Sequence, residues 1–558
     1  MDLRRLHDPD HAASATWWRD AVIYQVYPRS FADSDGDGVG DLPGITAHLP
    51  HLRELGVDAL WISPFYRSPQ HDAGYDVADY RDVDPLFGTL SDADDLIARA
   101  HELDLKVIVD LVPNHTSSEH PWFAAALAGA PDGPDRARYI FREGRGDGSE
   151  PPNDWRSVFG GQAWSRVTEA DGSPGQWYLH LFDVTQPDLA WDNPEVRAEF
   201  VDILRYWLDR GVDGFRVDVA HGLVKAPGLP DWPHRPGGLL KVTSESPFWD
   251  QDGVHEIYRE WRSVVGEYGP PERILVAEAW VSPAERAARY VRGDEFHQAF
   301  NFDFLETPWL AGPLREVIAD SLRAGDSVGA PATWVLSNHD VLRHSSRLGL
   351  PQGVDRPNGI TADDPQPDAE LGLRRARAAT ALMLALPGGA YLYQGEELGL
   401  PEHTALDARY REDPTFVRTS GTEVGRDGCR VPMPWVGDAP GLGFGPSGAT
   451  WLPQPEVYAD LAVDRQRGVP GSTLEFYRDL LRLRRSLGLG RGALDQVEGL
   501  GDEVLAYVVT SGDQRTLVLT NLGPEAAPLP PGARVLISSA RLDDEAVPTD
   551  VTVWVALP

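Results

Sequence analysis

The chain has 558 residues, enough for three or four domains at roughly 100 to 200 residues each and for a large buried core. Its 51 Lys and Arg against 86 Asp and Glu leave a formal charge of −35, a field that repels nucleic acid and anionic membrane and favours neutral or cationic small partners. One cysteine, Cys429, excludes an intrachain disulfide, and the absence of an apolar leader or an unbroken apolar stretch predicts a cytoplasmic protein with no membrane span.

The first β-branched run, AVIYQVYP from Ala21, is followed by DSDGDGVGD, in which acidic residues recur at alternate positions and Gly36, Gly38 and Gly40 permit a tight wrap. Oxygen ligands at every second position form an EF-hand-like cage, here Asp33, Asp35, Asp37, the Val39 carbonyl and Asp41. The twelfth position is Gly44, so the bidentate Glu of a true EF-hand is missing. Further runs follow: ALWISPFY from Ala59, KVIVDLVP from Lys106, GFRVDVAH from Gly214, ILVAEAW from Ile274, HQAFNFDF from His297, ATWVLSNHD from Ala332 and GGAYLYQGEE from Gly388. Amphipathic helix patterns lie between them. After Trp191, for example, Asn193 suits a cap, Pro194 a first turn, and Val196, Phe200, Ile203, Leu204 and Trp207 recur at helical spacing before Gly211.

Eight strands separated by helices predict an α/β fold, a closed (β/α)8 TIM barrel built from residues 1–114 and 193–486. Residues 115–192 are too long for a βα connection and form an inserted lobe after strand 3. From about residue 487 the pattern becomes alternating (VLAYVVT, TLVLTNL, RVLISS, VTVWVAL), which predicts a C-terminal antiparallel β domain over 487–558.

The strand runs end in polar residues, and barrels of this kind carry their chemistry at strand C-termini. Alternation puts Arg216, Asp218 and Ala220 on one side of the fourth run. The guanidinium then lowers the pKa of Asp218, while Glu278, set among Val276, Ala277, Ala279 and Trp280, has an apolar setting that raises its own. Asp340 adds a third carboxylate. One ionised and one protonated carboxyl at a barrel mouth are what cleavage of a glycosidic bond requires.

DLVPNH at Asp110–His115, GFRVDVAH, VAEAW at Val276–Trp280, SNHD at Ser337–Asp340 and QPDL at Gln186–Leu189 stand in an order that resembles glycoside hydrolase family 13, the α-amylase family, in its oligo-1,6-glucosidase and α-glucosidase branch. The resemblance covers essentially the whole chain. It implies that Asp218 is the nucleophile, Glu278 the general acid/base and Asp340 the transition-state stabiliser, with His115, His339 and Arg216 on sugar hydroxyls. It further implies that Asp76 and Arg430 clamp the terminal glucose and close the pocket, with Arg426 the next candidate, and Tyr75 stacks on the sugar face. The acidic loop is expected to hold a structural calcium, and no organic cofactor is expected. Ala190, VAEAW and RVPMPW depart from the branch pattern.

The expected activity is retaining, exo-acting α-glucosidase action on short α-1,4- and/or α-1,6-linked gluco-oligosaccharides, the expected partners, with no nucleic acid or membrane. The alternatives are a glucosyltransferase or isomerase of the same family, such as a sucrose isomerase or trehalose synthase, and a non-catalytic relative.

Overall fold

The computed structural model describes residues 2–9, 16–233, 246–354, 359–542 and 546–557. Each of the eight sequence runs forms a parallel strand: β1 (Val22–Val26), β2 (Ala59–Ile62), β3 (Lys106–Leu111), β4 (Gly214–Val217), β5 (Ile274–Ala277), β6 (Gln298–Ala299), β7 (Thr333–Val335) and β8 (Gly389–Tyr393). Their hydrogen-bonded order is β6-β5-β4-β3-β2-β1-β8-β7, a (β/α)8 barrel with its seam between β6 and β7.

Strand alternation divides the core in two. Ile23, Ala59, Trp61, Ile108, Ile274, Val276, Val335 and Tyr391 fill the barrel interior. Their neighbours Val22, Tyr24, Leu60, Val107, Val109, Phe215, Val217 and Leu275 face outward against the helices. On that register Arg216 points inward, level with Asp110 on β3 and Val276 on β5. The helix at Pro194–Asp209 is capped by Asn193, whose side chain accepts from the Glu195 N–H, and it buries the apolar face its sequence foretold.

Between β3 and β4, the strands Phe141–Arg142, Trp164–Thr168 and Pro174–Leu179 form a small antiparallel sheet. The core of this lobe, with Trp155, Phe159, Trp164 and Leu181, continues into Val219, Phe248 and Trp249 at the barrel mouth. At the far end of the chain, β9 (Ala493–Glu498), β10 (Val504–Ser511), β11 (Gln514–Asn521), β12 (Arg534–Ser538) and β13 (Val551–Leu557) form an antiparallel sheet in the order β9-β10-β11-β13-β12. Its outer edge beside β9 is taken by Asp2–His7, which pairs Asp2 with Glu498. This N-terminal strand joins the C-terminal sheet, whereas the sequence reading had counted it with the barrel. Its residues, DLRRLH, carry charge where a strand pattern needs apolar side chains.

Candidate active site

Arg216 organises the barrel mouth. Its guanidinium lies over Trp61, 5.0 Å from the ring centre, and is 3 % exposed. Nη1 donates to Asp110 Oδ1 at 2.8 Å and to Asp218 Oδ1 at 2.7 Å, and Nη2 pairs with Glu278 Oε2 at 2.9 Å. Three carboxyls from β3 and from the ends of β4 and β5 thus share one cation.

The chain leaves β4 at Val217, so the alternation read from sequence holds through Asp218 and then stops. Val219 takes φ of 45°, the left-handed region that a β-branched side chain rarely adopts. That turn sends Ala220 outward, against the expectation that it would share a side with Asp218. It also aims the Val219 N–H at Glu278 Oε2, 2.9 Å away. Strain stored in one residue therefore serves to fix the carboxyl across from it.

The electrostatics differ from the sequence expectation. Asp218 is pushed well above the usual carboxylate range, first by burial and then by Glu278, Asp110 and Asp340, against the pull of Arg216. Asp110, also buried, is raised to about 6. One guanidinium cannot neutralise three buried carboxylates, so the group retains a proton. Nor is Glu278 in an apolar pocket: besides Arg216 and the Val219 N–H, the Trp280 indole donates to its Oε1 at 3.0 Å. Asp340, by contrast, lies far below the usual range although burial acts against it, because His339, Arg426, Arg430 and Arg216 surround it. It is the firmly ionised member.

Arg426 and Arg430 both donate to Asp340 Oδ1, at 3.0 Å each. Arg430 also donates to the His339 carbonyl and lies over Tyr27. The expected Asp76–Arg430 pair is not formed. Asp76 is fully buried and its oxygens accept from Ser68 Oγ and from the N–H groups of His71 and Asp72, so it holds its own turn together. The acid that meets a guanidinium is Asp72, 2.9 Å from Arg426 Nη2, while Arg426 Nε donates to Asp413 at 2.6 Å. Asp72 is held at about 6 by burial, opposed by Arg426 and Arg430. Sequence spacing offered two Asp residues four apart in HDAGYD; only the turn geometry separates them.

His339 sits behind this network. Its Nε2 is 2.7 Å from the Tyr75 hydroxyl and its Nδ1 is 2.7 Å from Gln25 Nε2. Burial lowers its pKa well below the usual value. The Tyr75 ring is 5 % exposed and its plane lies 6° from that of His339. Tyr75 is therefore a wall of the site, with its hydroxyl also 3.2 Å from Asp110 Oδ2. His115, lowered to about 4 by burial, lies at hydrogen-bonding distance from Gln186 Nε2 and the Tyr75 carbonyl.

QPDL proves to be a brace between lobe and barrel. Gln186 donates to Asp72, and Asp188 accepts from Asn114 and pairs at 2.7 Å with Lys225, which is 2 % exposed. Lys225 also donates to Asn114 Oδ1 and the Gly222 carbonyl. Asp72, Asp110, Gln25, Lys225 and Trp280 are the site residues that sequence reasoning missed. Asp110 carried a signal, being a charge at an inward position of a buried strand; Lys225 carried none.

The acidic loop stands apart. Asp33, Asp35 and Asp37 bring carboxylate oxygens within 4.8 Å of one another, the grouping a divalent cation takes. Asp41 is engaged differently: Oδ1 caps the helix Leu42–Leu55 through the Gly44 N–H, and Oδ2 accepts from Ser34.

A profile of the α-amylase catalytic domain matches residues 25–489. The chain belongs to the α-amylase family. As a glycoside hydrolase of that family it is 39 % identical over 528 residues to a probable α-glucosidase of Rhizobium meliloti, covering 92 % of this chain and 90 % of the relative. It is 34 % identical over 547 residues to an oligo-1,6-glucosidase of Parageobacillus thermoglucosidasius, covering 90 % of each. Among solved structures, the α-glucosyl transfer enzyme XgtA superposes with a TM-score of 0.84 at 35 % identity, covering 98 % of this chain and all of that one.

Proposed function

We propose that the protein is a retaining, exo-acting α-glucosidase that releases glucose from the non-reducing end of short α-1,4- and/or α-1,6-linked gluco-oligosaccharides. The carrying observation is that Asp218 and Glu278 grip the two ends of one guanidinium while Asp340 stays ionised between two others. A retaining mechanism needs its two carboxyls close, about 5 to 5.5 Å apart, and a shared cation draws these two together. Asp218 attacks the anomeric carbon as the proton held by the pair passes through Glu278 to the leaving oxygen. Asp340 offsets the positive charge that develops on the ring. Water, deprotonated by Glu278, then hydrolyses the glucosyl ester. Asp72, Arg426, His115 and His339 bind hydroxyls of the glucosyl unit, and the Asp72–Arg426 pair closes the pocket behind it.

Reducing-end-labelled maltotetraose tests both parts. Labelled maltotriose and free α-glucose are the expected first products; early labelled maltose or glucose means an open cleft, and β-glucose means inversion. Likeness to XgtA along nearly the whole chain favours one second reading, transfer of the glucosyl ester to a sugar hydroxyl. Trisaccharide accumulating from maltose faster than free glucose would select it.

The Asp33–Asp37 loop belongs to the same proposal as a structural calcium site. Burial and the charges of Asp35, Asp33 and Asp41 raise the pKa of Asp37, and none of Asp33, Asp35 and Asp37 forms an ion pair with a described residue. A hard divalent cation supplies the missing charge. A cytoplasmic setting fits the lone thiol, Cys429, which is buried. No helix among the described residues is long and apolar enough to cross a membrane.

A further inference from the structure

The carboxyl of Glu278 is bound asymmetrically. Oε2 is held by two groups from the β4 end: the Val219 N–H donates to it at 2.9 Å, and Arg216 Nη2 forms an ion pair with it at 2.9 Å. An oxygen already paired with a cation and accepting from an amide is a poor place for a proton. The proton that Glu278 delivers must then leave from Oε1, whose only described donor is the Trp280 indole N–H at 3.0 Å. Trp280 is placed for that contact from outside the catalytic group. Its ring stacks on Phe302 at 3.7 Å with 5° between planes, and it packs against both the barrel interior and the core of the lobe. On the flank between β5 and β7, Trp280 and Phe302 border a cavity of about 280 Å3 lined by Ala287, Ala324 and Thr333.

We propose that Trp280 is a positioning residue for proton transfer: its N–H selects the orientation of Glu278 from which Oε1 delivers the proton, and it stabilises the carboxylate left behind. The inference rests on the reading of Glu278 as general acid. It also assigns a role to the departure seen in the sequence, where Trp ends the VAEAW motif.

The test is Trp280→Phe, which keeps an aromatic ring against Phe302 and removes only the donor. A hydrogen bond to a charged group is worth roughly 10- to 100-fold, so kcat/KM on maltose should fall by about that factor. On 2,4-dinitrophenyl α-glucoside, whose leaving group departs without a proton, kcat/KM should fall less than about threefold. A merely structural role would lower both together. In a Glu278→Ala background, Trp280→Phe should cost nothing further, because a residue acting through Glu278 has nothing left to act on. Equal losses on the two substrates, an unchanged maltose rate, or an additive loss in the Glu278→Ala background would each overturn the proposal. Glu278→Ala alone separates this from the underlying reading: full maltose activity there removes the acid assignment itself. Should Trp280→Phe fold poorly, Phe302→Leu, which removes the stacking ring and leaves the indole N–H, must show the same substrate split in weaker form, and its absence counts against the proposal.

Discussion

Two acidic clusters of this chain differ in what lies between their carboxyls, and their electrostatics differ with it. At the barrel mouth, Asp110, Asp218, Glu278, Asp340 and Asp72 are interleaved with Arg216, Arg426 and Arg430. In the loop after β1, Asp33, Asp35 and Asp37 converge with no guanidinium among the described ion pairs. Where the protein supplies its own cations, the carboxyls are pulled in opposite directions, Asp218 well above the usual range and Asp340 well below it. Where it does not, the proposed calcium ion would supply the missing charge. On the proposed function, the same residue type builds a reactive group in one place and an ion cage in the other, depending on what lies between the acids.

The largest effect expected from breaking this contrast is catalytic. Glu278→Gln should lower kcat by about 10²–10⁴-fold, the usual worth of a general acid. Asp218→Asn should abolish formation of the glucosyl ester altogether. Because burial already disfavours the ionised Asp218, its neutral isostere should leave the melting temperature unchanged or higher. Calorimetry and steady-state kinetics on the same samples decide it: a fall in stability parallel to the fall in rate would make Asp218 a scaffold residue.

Removing a cation from the mouth comes next. Arg426→Ala strips a guanidinium from Asp72, Asp340 and Asp413 at once, and the Arg426 side chain is only 11 % exposed. Breaking a buried pair by deleting one partner costs about 3–5 kcal/mol, so both folding stability and binding of the terminal glucose should fall. Asp76→Asn should leave KM for maltose within about twofold, whereas Asp72→Asn should raise it about tenfold or more, the worth of a charged hydrogen bond. The reverse order would restore Asp76 to the pocket.

What the sequence could show follows from the range of the forces involved. Strand alternation and helix periodicity are local, so all eight barrel strands, the lobe and most of the C-terminal sheet were legible. The carboxyls Asp218, Glu278 and Asp340 stood in motifs at strand ends, and their meeting at the barrel mouth was legible too. The partners were not. Whether Asp72 or Asp76 reaches Arg426 depends on a turn closed by Ser68 and His71, and the Lys225–Asp188 pair joins positions 37 residues apart (225 − 188). Protonation misled for the same reason: proximity to Arg216 was visible along the chain, but burial and the carboxyls arriving from β3 and β5 were not. The strand Asp2–His7 escaped because its edge position lets it keep the polar sequence DLRRLH.

A third kind of buried acid sharpens the contrast with a smaller effect. Glu396 accepts from the Tyr393 N–H through Oε1, while Oε2 is buried and unpartnered. Burial raises its pKa from 4.5 to about 8. A folded-state pKa above the unfolded one gives stability that is fully present below about pH 4.5 and lost as pH rises through about 8. Glu396→Gln should therefore flatten the decline in urea midpoint between those limits. A decline of the same slope in the variant would show that Glu396 is ionised in the fold.

The smallest predicted effect is also the sharpest, because its sign reverses with conditions. Asp37 lies near Asp33, Asp35 and Asp41, whose charges, together with burial, raise its pKa. In chelator, Asp37→Asn relieves that repulsion, and at a largely exposed position the gain should stay within about 0.5 kcal/mol. In excess calcium the wild-type chain gains by mass action, about 2.7 kcal/mol when the free ion is 100 times its dissociation constant, whereas the variant has one charged ligand fewer and gains less. The melting curves of the two proteins should accordingly cross as calcium is raised, with the variant the more stable at zero ion and the less stable at saturation. Activity measured well below either melting temperature should not follow the crossing, since the loop's carboxylates touch none of the groups around Arg216. If the variant is less stable in both conditions, the loop is held by Asx hydrogen bonds such as that from the Val39 N–H to Asp37 rather than by an ion, and the two clusters differ less than their guanidinium content implies.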